Sequence, residues 1–252
     1  MLKVRVMPTL LFKDMGLVKG IRFDSWRRVG SVMQSVKVYN LREVDELVFL
    51  DISATAENRS PDFDTVDEIA DECFMPLTVG GGVQTVEQAR RLLQVGADKI
   101  ALNTAAIETP TLIRDLAGEL GSQCVVVSID VKQKADGTYG VFAHSGTRAT
   151  EKDPIMWSKE IEGLGAGEIL LTSIDRDGTM DGFDLEITRK VSESVSLPVI
   201  ASGGAGNYEH MVSVISEGKA SAVAAASIFH FTQQTPLEAK HFLWNRGIKV
   251  RI

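Results

Sequence analysis

Two glycine-rich turns contain the residues of this chain best suited to hold an anion. The first turn contains Gly81 and Gly82, and the second contains Gly203 and Gly204. Each turn follows a short apolar run and precedes a helical pattern. Glycine lets backbone N–H groups approach an anion closely, and the start of a helix favours negative charge. Two such turns at matching places predict a substrate that carries a phosphate at each end.

Small polar residues follow several other strand-like runs, and we expect them to complete the two phosphate sites. Asn103 and Thr104 would add an amide and a hydroxyl beside the first turn. Residues at the ends of later strands and loops would complete the second site: Thr172 or Ser173, with Gly178, Thr179, Ala226 and Ser227. The alternative interpretation is that these small residues only close tight turns.

Carboxylates at the ends of predicted strands are the candidates for proton transfer. Asp130 ends the fifth strand, Asp51 ends the second, and Asp177 follows the sixth. A carboxylate at a strand end faces the pocket and can act as a general acid or base. Asp177 or its neighbour Asp175 could instead pair with Arg176 or cap the turn.

Four charged residues of alternating sign lie at or near the starts of predicted strands. Charged side chains enter the end of a barrel only with partners, so alternating signs predict a ring. Such a ring would either cap the core with salt bridges or form a gate to a central passage. The four residues are Arg5, Glu46, Lys99 and Glu168.

The elements that position these residues come in two similar halves. Glu46–Ile52 aligns with Glu168–Ile174 at an offset of 122 positions, and the same offset superposes the two glycine turns. Self-similarity at half the chain length indicates a doubled unit. Eight βα units closed as a parallel barrel occupy about 250 residues. The 252 residues therefore predict one α/β domain over 1–252, a (β/α)8 TIM barrel built from two similar half-barrels.

Eight mostly apolar runs are the predicted barrel strands, and chemistry is expected at their C-terminal ends. They lie near residues 4–11, 46–52, 75–79, 98–103, 123–130, 167–173, 197–202 and 221–226. Two connections are long. In Lys132–Thr150, the pair Asp136 and Gly137 predicts a β-hairpin beside the barrel mouth. The glycine-punctuated connection over 12–30 predicts a lid loop.

Composition indicates one enzyme-like domain. Hydrophobic residues make up 44% and charged residues 24% of the chain, which are ordinary globular values. The net charge of −7 argues against a nucleic-acid partner, while local amides can still hold a phosphorylated small molecule. No signal-peptide pattern and no 18-residue apolar run is present, so neither export nor a membrane partner is expected.

The cysteines and histidines predict no covalent or metal framework. Cys73 and Cys124 form no disulfide pattern and suit a reducing, cytoplasmic location. His144 and His230 belong to no metal-ligand spacing, so we expect neither a metal nor another cofactor.

Several segments together resemble the HisF family, the cyclase subunits of imidazole glycerol phosphate synthase. The resemblance covers essentially the full length and is carried by Leu77–Gly82, Gly165–Thr179, Val199–Asn207 and Ala226–Phe231. It implies a barrel that docks a HisH-like glutaminase on its bottom face as a heterodimer. Ammonia would then pass the charged ring and meet a bisphosphorylated ribulosyl aminoimidazole nucleotide, which is cleaved and cyclised.

One catalytic position departs from that family. The resemblance implies two aspartates, at the ends of the first and fifth strands, as general acid and base. Asp130 matches the second, but Leu11 occupies the place of the first, and Thr9, Phe12 and Met15 depart with it. An isobutyl group cannot accept or donate a proton, and loss of one acid–base group typically costs about 10²–10⁴-fold in rate.

The altered stretch is similar to the HisF-like WbuZ group, which is associated with glycosyl amidation. The similarity is carried by Leu10–Lys13, Gly16–Lys19, Val36–Leu47 and Glu72–Pro76. It implies a subunit that works with a HisH-like glutaminase and a sugar amidotransferase to form acetamidino groups on surface sugars. Independently of this similarity, Lys19 on the first long loop is the candidate to contact the substrate, and the alternative is an exposed loop lysine.

Three functions therefore stay open. The first is an ammonia-channelling subunit for sugar amidation, favoured by Leu11 beside an intact charged ring. The second is the cyclase of histidine biosynthesis, favoured by Asp130, Lys19 and both phosphate turns. The third is a non-catalytic scaffold barrel that binds a phosphosugar.

Overall fold

The computed structural model describes residues 3–14 and 16–252, and its centre is a closed barrel of eight parallel strands. Around the barrel, the strands are β1 (Arg5–Lys13), β4 (Leu47–Asp51), β5 (Leu77–Gly80), β6 (Lys99–Leu102), β7 (Val125–Gln133), β10 (Glu168–Ser173), β11 (Val199–Ser202) and β12 (Ala222–Ala225). The last strand pairs with the first, with Arg5 opposite Ala222, which closes the sheet. The predicted (β/α)8 barrel is confirmed.

Helices connect the barrel strands and cover their outer faces. They are α1 (Val32–Leu41), α2 (Phe63–Glu72), α3 (Val86–Gln94), α4 (Thr104–Glu108), α5 (Thr111–Leu120), α6 (Pro154–Gly163), α7 (Leu185–Ser194), α8 (Tyr208–Ser216), α9 (Ser227–Phe231) and α10 (Pro236–Asn245). Their apolar sides pack against the outward-facing strand residues in one continuous core. No helix of the described residues combines the length and hydropathy needed to cross a bilayer.

The two halves of the barrel repeat one another element by element. An offset of 122 superposes α2 on α7, β5 on β11 and α3 on α8 at both ends of each element. The helix caps repeat as well. Asp62 and Asp184 accept N–H bonds at the starts of α2 and α7, and Thr85 and Asn207 do so at α3 and α8. The half-barrel architecture expected from the repeat is present.

Two antiparallel hairpins extend from the barrel mouth. The strands β1 and β7 run beyond their predicted ends because each continues into an antiparallel partner, β2 (Gly16–Ile21) or β8 (Tyr139–Ala143). The hairpin predicted after the fifth barrel strand is confirmed and ends in β9 (Arg148–Ala149). The connection expected as a lid loop over 12–30 is instead a second hairpin, in which β2 pairs with β3 (Asp24–Gly30).

The interior of the barrel is layered, because alternate residues of each strand point inward. Charged residues lie at the N-terminal end of the strands. An apolar layer follows, formed by Met7, Val48, Ala101, Val126, Leu170, Ile200, Ala222 and Ala224. Above that layer a cavity with polar and apolar walls opens at the C-terminal end.

Three residues lie outside the part of the chain that the structure describes. Met15 is one of the predicted departures from the HisF pattern. The other two are Met1 and Leu2, in the N-terminal segment where we expect no signal peptide.

Candidate functional site

A cavity at the C-terminal end of the barrel brings most of the predicted site residues together. Its empty volume, including the open mouth, is about 1200 Å³. Fifteen predicted residues line it: Leu11, Lys19, Asp51, Gly81, Gly82, Asn103, Thr104, Asp130, Thr172, Asp177, Gly178, Gly203, Gly204, Ala226 and Ser227. The charged set lies at the other end of the barrel.

Asp130 is the carboxylate of the cavity wall on β7. Its side chain accepts a hydrogen bond from Asn103 Nδ2 at 3.1 Å, and the same amide donates to the Ser128 carbonyl at 3.1 Å. Burial, reinforced by the negative charge of Asp177, raises the pKa of Asp130 to about 7. A carboxyl group that titrates near neutral pH can both donate and accept a proton.

The Asn103 side chain makes hydrogen bonds within the protein that its position at a strand end does not reveal. The sequence predicts it as a phosphate ligand, but both contacts of its amide nitrogen hold the β7 wall in place. Thr104 is similarly engaged, since its hydroxyl accepts the backbone N–H of His144 at 2.9 Å. Their phosphate roles remain predictions that require these bonds to rearrange or to be shared.

Leu11 faces the cavity from the opposite side of the barrel. Its strand, β1, lies four barrel strands away from β7. In the sheet Leu11 pairs in register with Leu50, which also lines the cavity, so this part of the wall is apolar. Asp14, the nearest acidic residue along the chain, is exposed in the turn after β1 and does not line the cavity.

Asp51 is held by the turn that follows β4. Its Oδ1 accepts the backbone N–H groups of Ser53 at 3.0 Å and Ala54 at 3.1 Å, and its carboxylate pairs with the Arg59 guanidinium at 2.8 Å. These contacts fix the turn. Asp51 thus has a structural role in this turn; it also lines the cavity, and its role in proton transfer stays a prediction.

Lys19 and Asp177 form a buried ion pair at the mouth. The ammonium donates to the two carboxylate oxygens at 2.8 and 2.9 Å and to the Gly20 carbonyl at 3.1 Å. Burial raises the pKa of Asp177, while the charge of Lys19 opposes this effect. Gly178 permits the backbone of the loop after β10 to approach the backbone of β2, because a Cβ on Gly178 would lie 2.2 Å from the Gly20 oxygen. Asp177 thus pairs with Lys19 and not with Arg176.

The two glycine turns have the same geometry. Gly81 and Gly203 have φ values of +106° and +89°, in the left-handed region that favours glycine. A Cβ on Gly81 would lie 2.1 Å from the Asp51 carbonyl, and one on Gly203 would lie 2.7 Å from the Ser173 carbonyl. The fold itself therefore requires these glycines, which supports the tight-turn interpretation alongside the phosphate one.

Two hydroxyl groups in the cavity are buried without a hydrogen-bond partner among the described residues. They are Thr9 Oγ1 on β1 and Ser227 Oγ at the start of α9. Buried polar atoms are normally paired, and an unpaired one carries a desolvation penalty. A ligand oxygen would satisfy Ser227 at the predicted second phosphate site.

The four charged residues at the opposite end form a closed ring. Arg5 contacts Glu46 at 2.6 Å and Glu168 at 2.9 Å, and Lys99 contacts the same two carboxylates at 2.9 and 3.2 Å. The Thr78 hydroxyl donates to Glu46 at 2.7 Å. Burial lowers the pKa of Arg5, but the charges of Glu168 and Glu46 outweigh it and raise the pKa overall. The alternating ring predicted from the sequence is present.

A family model described as histidine biosynthesis protein matches residues 5–235. The chain belongs to this family. The match extends from the charged ring of β1 to the loop before α10, so it includes both half-barrels. Together with the closed barrel, it confirms the resemblance to HisF-type proteins, and the chain is a HisA/HisF-type barrel.

The mouth also contains residues that the sequence interpretation overlooked. Phe23 and Trp26 from the β2–β3 hairpin and Ser145 from the β8–β9 turn line the cavity. The Ser145 hydroxyl donates to the Ile52 carbonyl at 3.0 Å and ties that turn to the loop after β4. The two aromatic side chains in a long connection were the available signal.

Proposed function

We propose that this barrel accepts ammonia from a docked glutaminase and delivers it to a phosphorylated sugar-type substrate, as a subunit of a sugar-amidating complex. The observation that carries the proposal is the apolar wall at Leu11 and Leu50, opposite Asp130. The resemblance to the cyclases implies a carboxylate at position 11 as one of two proton-transfer groups. Transfer of ammonia through a barrel does not need that pair, so this loss is compatible with delivery.

The layered interior supports a route for neutral ammonia. The charged ring closes the N-terminal end, and the apolar layer above it separates the ring from the cavity. Apolar side chains impose a large desolvation penalty on an ion and a much smaller one on a neutral molecule. The interior would therefore pass ammonia in preference to ammonium once the ring opens.

Exposed apolar residues at the ring end support a docked partner. Leu41, at the end of α1, is 84% exposed, and Phe74, before β5, is 86% exposed. Asn40 links the two segments, because its amide donates to the Glu72 carbonyl and accepts from the Phe74 N–H. Large apolar side chains exposed together are typical of protein interfaces.

The proposal is tested with the purified chain and a HisH-like glutaminase encoded near it. We expect the barrel to bind the glutaminase and to increase its rate of glutamine hydrolysis. A Leu41→Ser and Phe74→Ser double variant should lose this stimulation. Met156→Ser is the matched control, because Met156 is 64% exposed in the first turn of α6, away from the ring. Absence of both binding and stimulation by the native chain would contradict the proposal.

The cyclase of histidine biosynthesis is the second candidate, favoured by a specific observation. Asp130 titrates near neutral pH, and the Lys19–Asp177 pair places a second carboxylate in the same cavity. Asp177 would have to supply the proton transfer that Leu11 cannot. Rescue of a histidine auxotroph that lacks its cyclase would favour this candidate, and failure of rescue would count against it.

The third candidate, a non-catalytic scaffold that binds a phosphosugar, differs from the other two because it would show no turnover. The unpaired Ser227 hydroxyl and the two glycine turns would serve binding alone equally well. Product formation from any substrate with free ammonia would eliminate this function.

A further inference from the structure

A second crevice lies beside the barrel mouth, between the two hairpins. The β2–β3 hairpin contributes Phe23 and Trp26, the β8–β9 turn contributes Ser145 and Arg148, and Lys13 lines it from the end of β1. Phe23, Trp26 and Ser145 also line the central cavity, so the two spaces adjoin. None of the roles assigned above uses this crevice.

The two aromatic rings pack closely against glycine residues. A Cβ on Gly20 would lie 2.8 Å from Cε3 of Trp26, and one on Gly146 would lie 2.8 Å from Cδ2 of Phe23. Both aromatic residues are only half-buried, so part of each stays accessible. An accessible aromatic ring in a crevice provides a stacking surface for another flat ring.

The crevice also has surplus positive charge. Arg148 pairs with Glu108 at 2.9 Å, and Glu57, which lines the crevice, pairs with Arg59 at 2.5 Å. Lys13 forms no ion pair with any residue that the structure describes. An ammonium that lacks an ion-pair partner among the described residues favours an anionic group such as phosphate.

We propose that this crevice is a second ligand subsite that binds a nucleotide, with its base on Trp26 and Phe23 and its phosphate at Lys13. The substrate of the barrel is then a nucleotide-linked sugar whose sugar end occupies the central cavity. This proposal rests on the proposed function for the reaction in the cavity. The subsite itself can be tested without any turnover.

The test is calorimetric titration of the purified chain with uridine and adenosine 5′-monophosphates. Ribose 5-phosphate and uridine serve as matched fragments that lack the base or the phosphate. We expect at least one nucleotide to bind tenfold or more tightly than either fragment and to quench tryptophan emission. Lys13→Gln and Trp26→Leu should each weaken the binding of that nucleotide at least tenfold, while Trp26→Leu leaves ribose 5-phosphate binding unchanged because that fragment has no base.

Two control variants locate the bound nucleotide. Trp244→Leu removes an exposed tryptophan of α10 and should leave both affinity and quenching by the nucleotide unchanged. Ser227→Ala alters the central cavity and should leave nucleotide affinity unchanged. Urea unfolding midpoints of all variants establish that they fold.

Three outcomes would overturn the proposal. They are nucleotide binding no tighter than that of the fragments, binding unaffected by Lys13→Gln and Trp26→Leu, or binding lost in Ser227→Ala. The glutaminase experiment probes the opposite end of the barrel, so its failure would leave a nucleotide result standing, and the reverse also holds.

Discussion

At the scale of single residues, the protonation of Asp130 depends on its neighbours. Burial is the larger cause of its raised pKa, and the negative charge of Asp177 adds to it. Lys19 partly neutralises Asp177 but remains bonded to it and not to Asp130. The pKa of Asp130 therefore depends on its burial in the β7 wall and on the Lys19–Asp177 ion pair at the mouth.

Asp177→Asn should lower the pKa of Asp130. The substitution removes a negative charge that disfavours ionisation of Asp130, and it leaves the positive Lys19 nearby. Carbon-13 NMR of the carboxyl groups across a pH series measures this directly. Asp175→Asn is the matched control, since Asp175 lies two positions before Asp177 in the chain but does not line the cavity. An unchanged pKa of Asp130 in Asp177→Asn would contradict the electrostatic coupling.

Asp130→Asn should stabilise the protein at high pH. The folded-state pKa of about 7 lies above the usual value of 3.8, so the unfolded chain ionises first as the pH rises. The destabilisation by Asp130 therefore develops as the pH rises from about 4 to about 7, and above pH 7 it reaches about 4 kcal/mol. Urea unfolding should show Asp130→Asn as more stable than native at pH 8, with this difference absent near pH 4.

A second substitution shows whether that gain is specific to Asp130. Asp51→Asn weakens the contacts to Arg59 and to the turn after β4, so it should destabilise the protein at neutral pH. Equal responses of the two variants at pH 8 would contradict the role given to burial of Asp130.

Residue positions were more predictable than residue roles. Strand-end positions pointed to Asp130 and the glycine turns, the resemblance pointed to Leu11, and all of these residues line one cavity. Strand-end positions did not reveal that Asn103 holds Asp130 or that Asp51 pairs with Arg59, because those contacts depend on side-chain conformations and on a loop that folds back.

At the scale of elements, the β2–β3 hairpin is held in place by the loop after β10. Its two-residue turn, Arg22 and Phe23, has φ values of +53° and +61°, where asparagine and glycine are normally preferred. The Arg22 N–H donates to the Asp177 carbonyl at 2.8 Å, and its Nε donates to the Asp175 carbonyl at 3.2 Å. Tertiary contacts therefore impose a turn that the local sequence disfavours.

Lys19→Met should loosen this hairpin. The change leaves the Asp177 carboxylate buried without its cation, and breaking a buried pair typically costs about 3–5 kcal/mol. Amide hydrogen exchange over residues 16–30 should accelerate about tenfold or more, while the barrel strands stay protected. Lys13→Met is the matched control at the base of the same hairpin. Unchanged exchange over 16–30 in Lys19→Met would show that the ion pair does not hold the hairpin.

The sequence predicted the eight barrel strands but not the β2–β3 hairpin. The eight barrel strands are short apolar runs buried on both faces, and the 122-residue repeat fixes their order. The β2–β3 hairpin has exposed basic residues on β3 and no asparagine or glycine at its turn, so neither alternation nor turn chemistry indicated it. Its strands form because β1 extends to Lys13 and offers a pairing edge.

At the scale of the whole molecule, the barrel has two ends with different chemistry. A closed ring of four charges lies at one end, and a cavity with one carboxyl wall and one apolar wall opens at the other. The apolar layer between them isolates the two ends from each other. This arrangement suits a molecule that receives a small neutral species at one end and presents it to a substrate at the other.

The most direct test of the central claim is an assay for consumption of the ribulosyl aminoimidazole nucleotide. The purified chain is supplied with excess ammonium at alkaline pH, without glutaminase, beside Leu11→Asp and the isosteric control Leu11→Asn. We predict no turnover by the native chain or Leu11→Asn and measurable turnover by Leu11→Asp, because only a carboxylate at position 11 restores the second proton-transfer group. Substantial turnover by the native chain would contradict the account and identify the protein as a cyclase that works without an acid at that position.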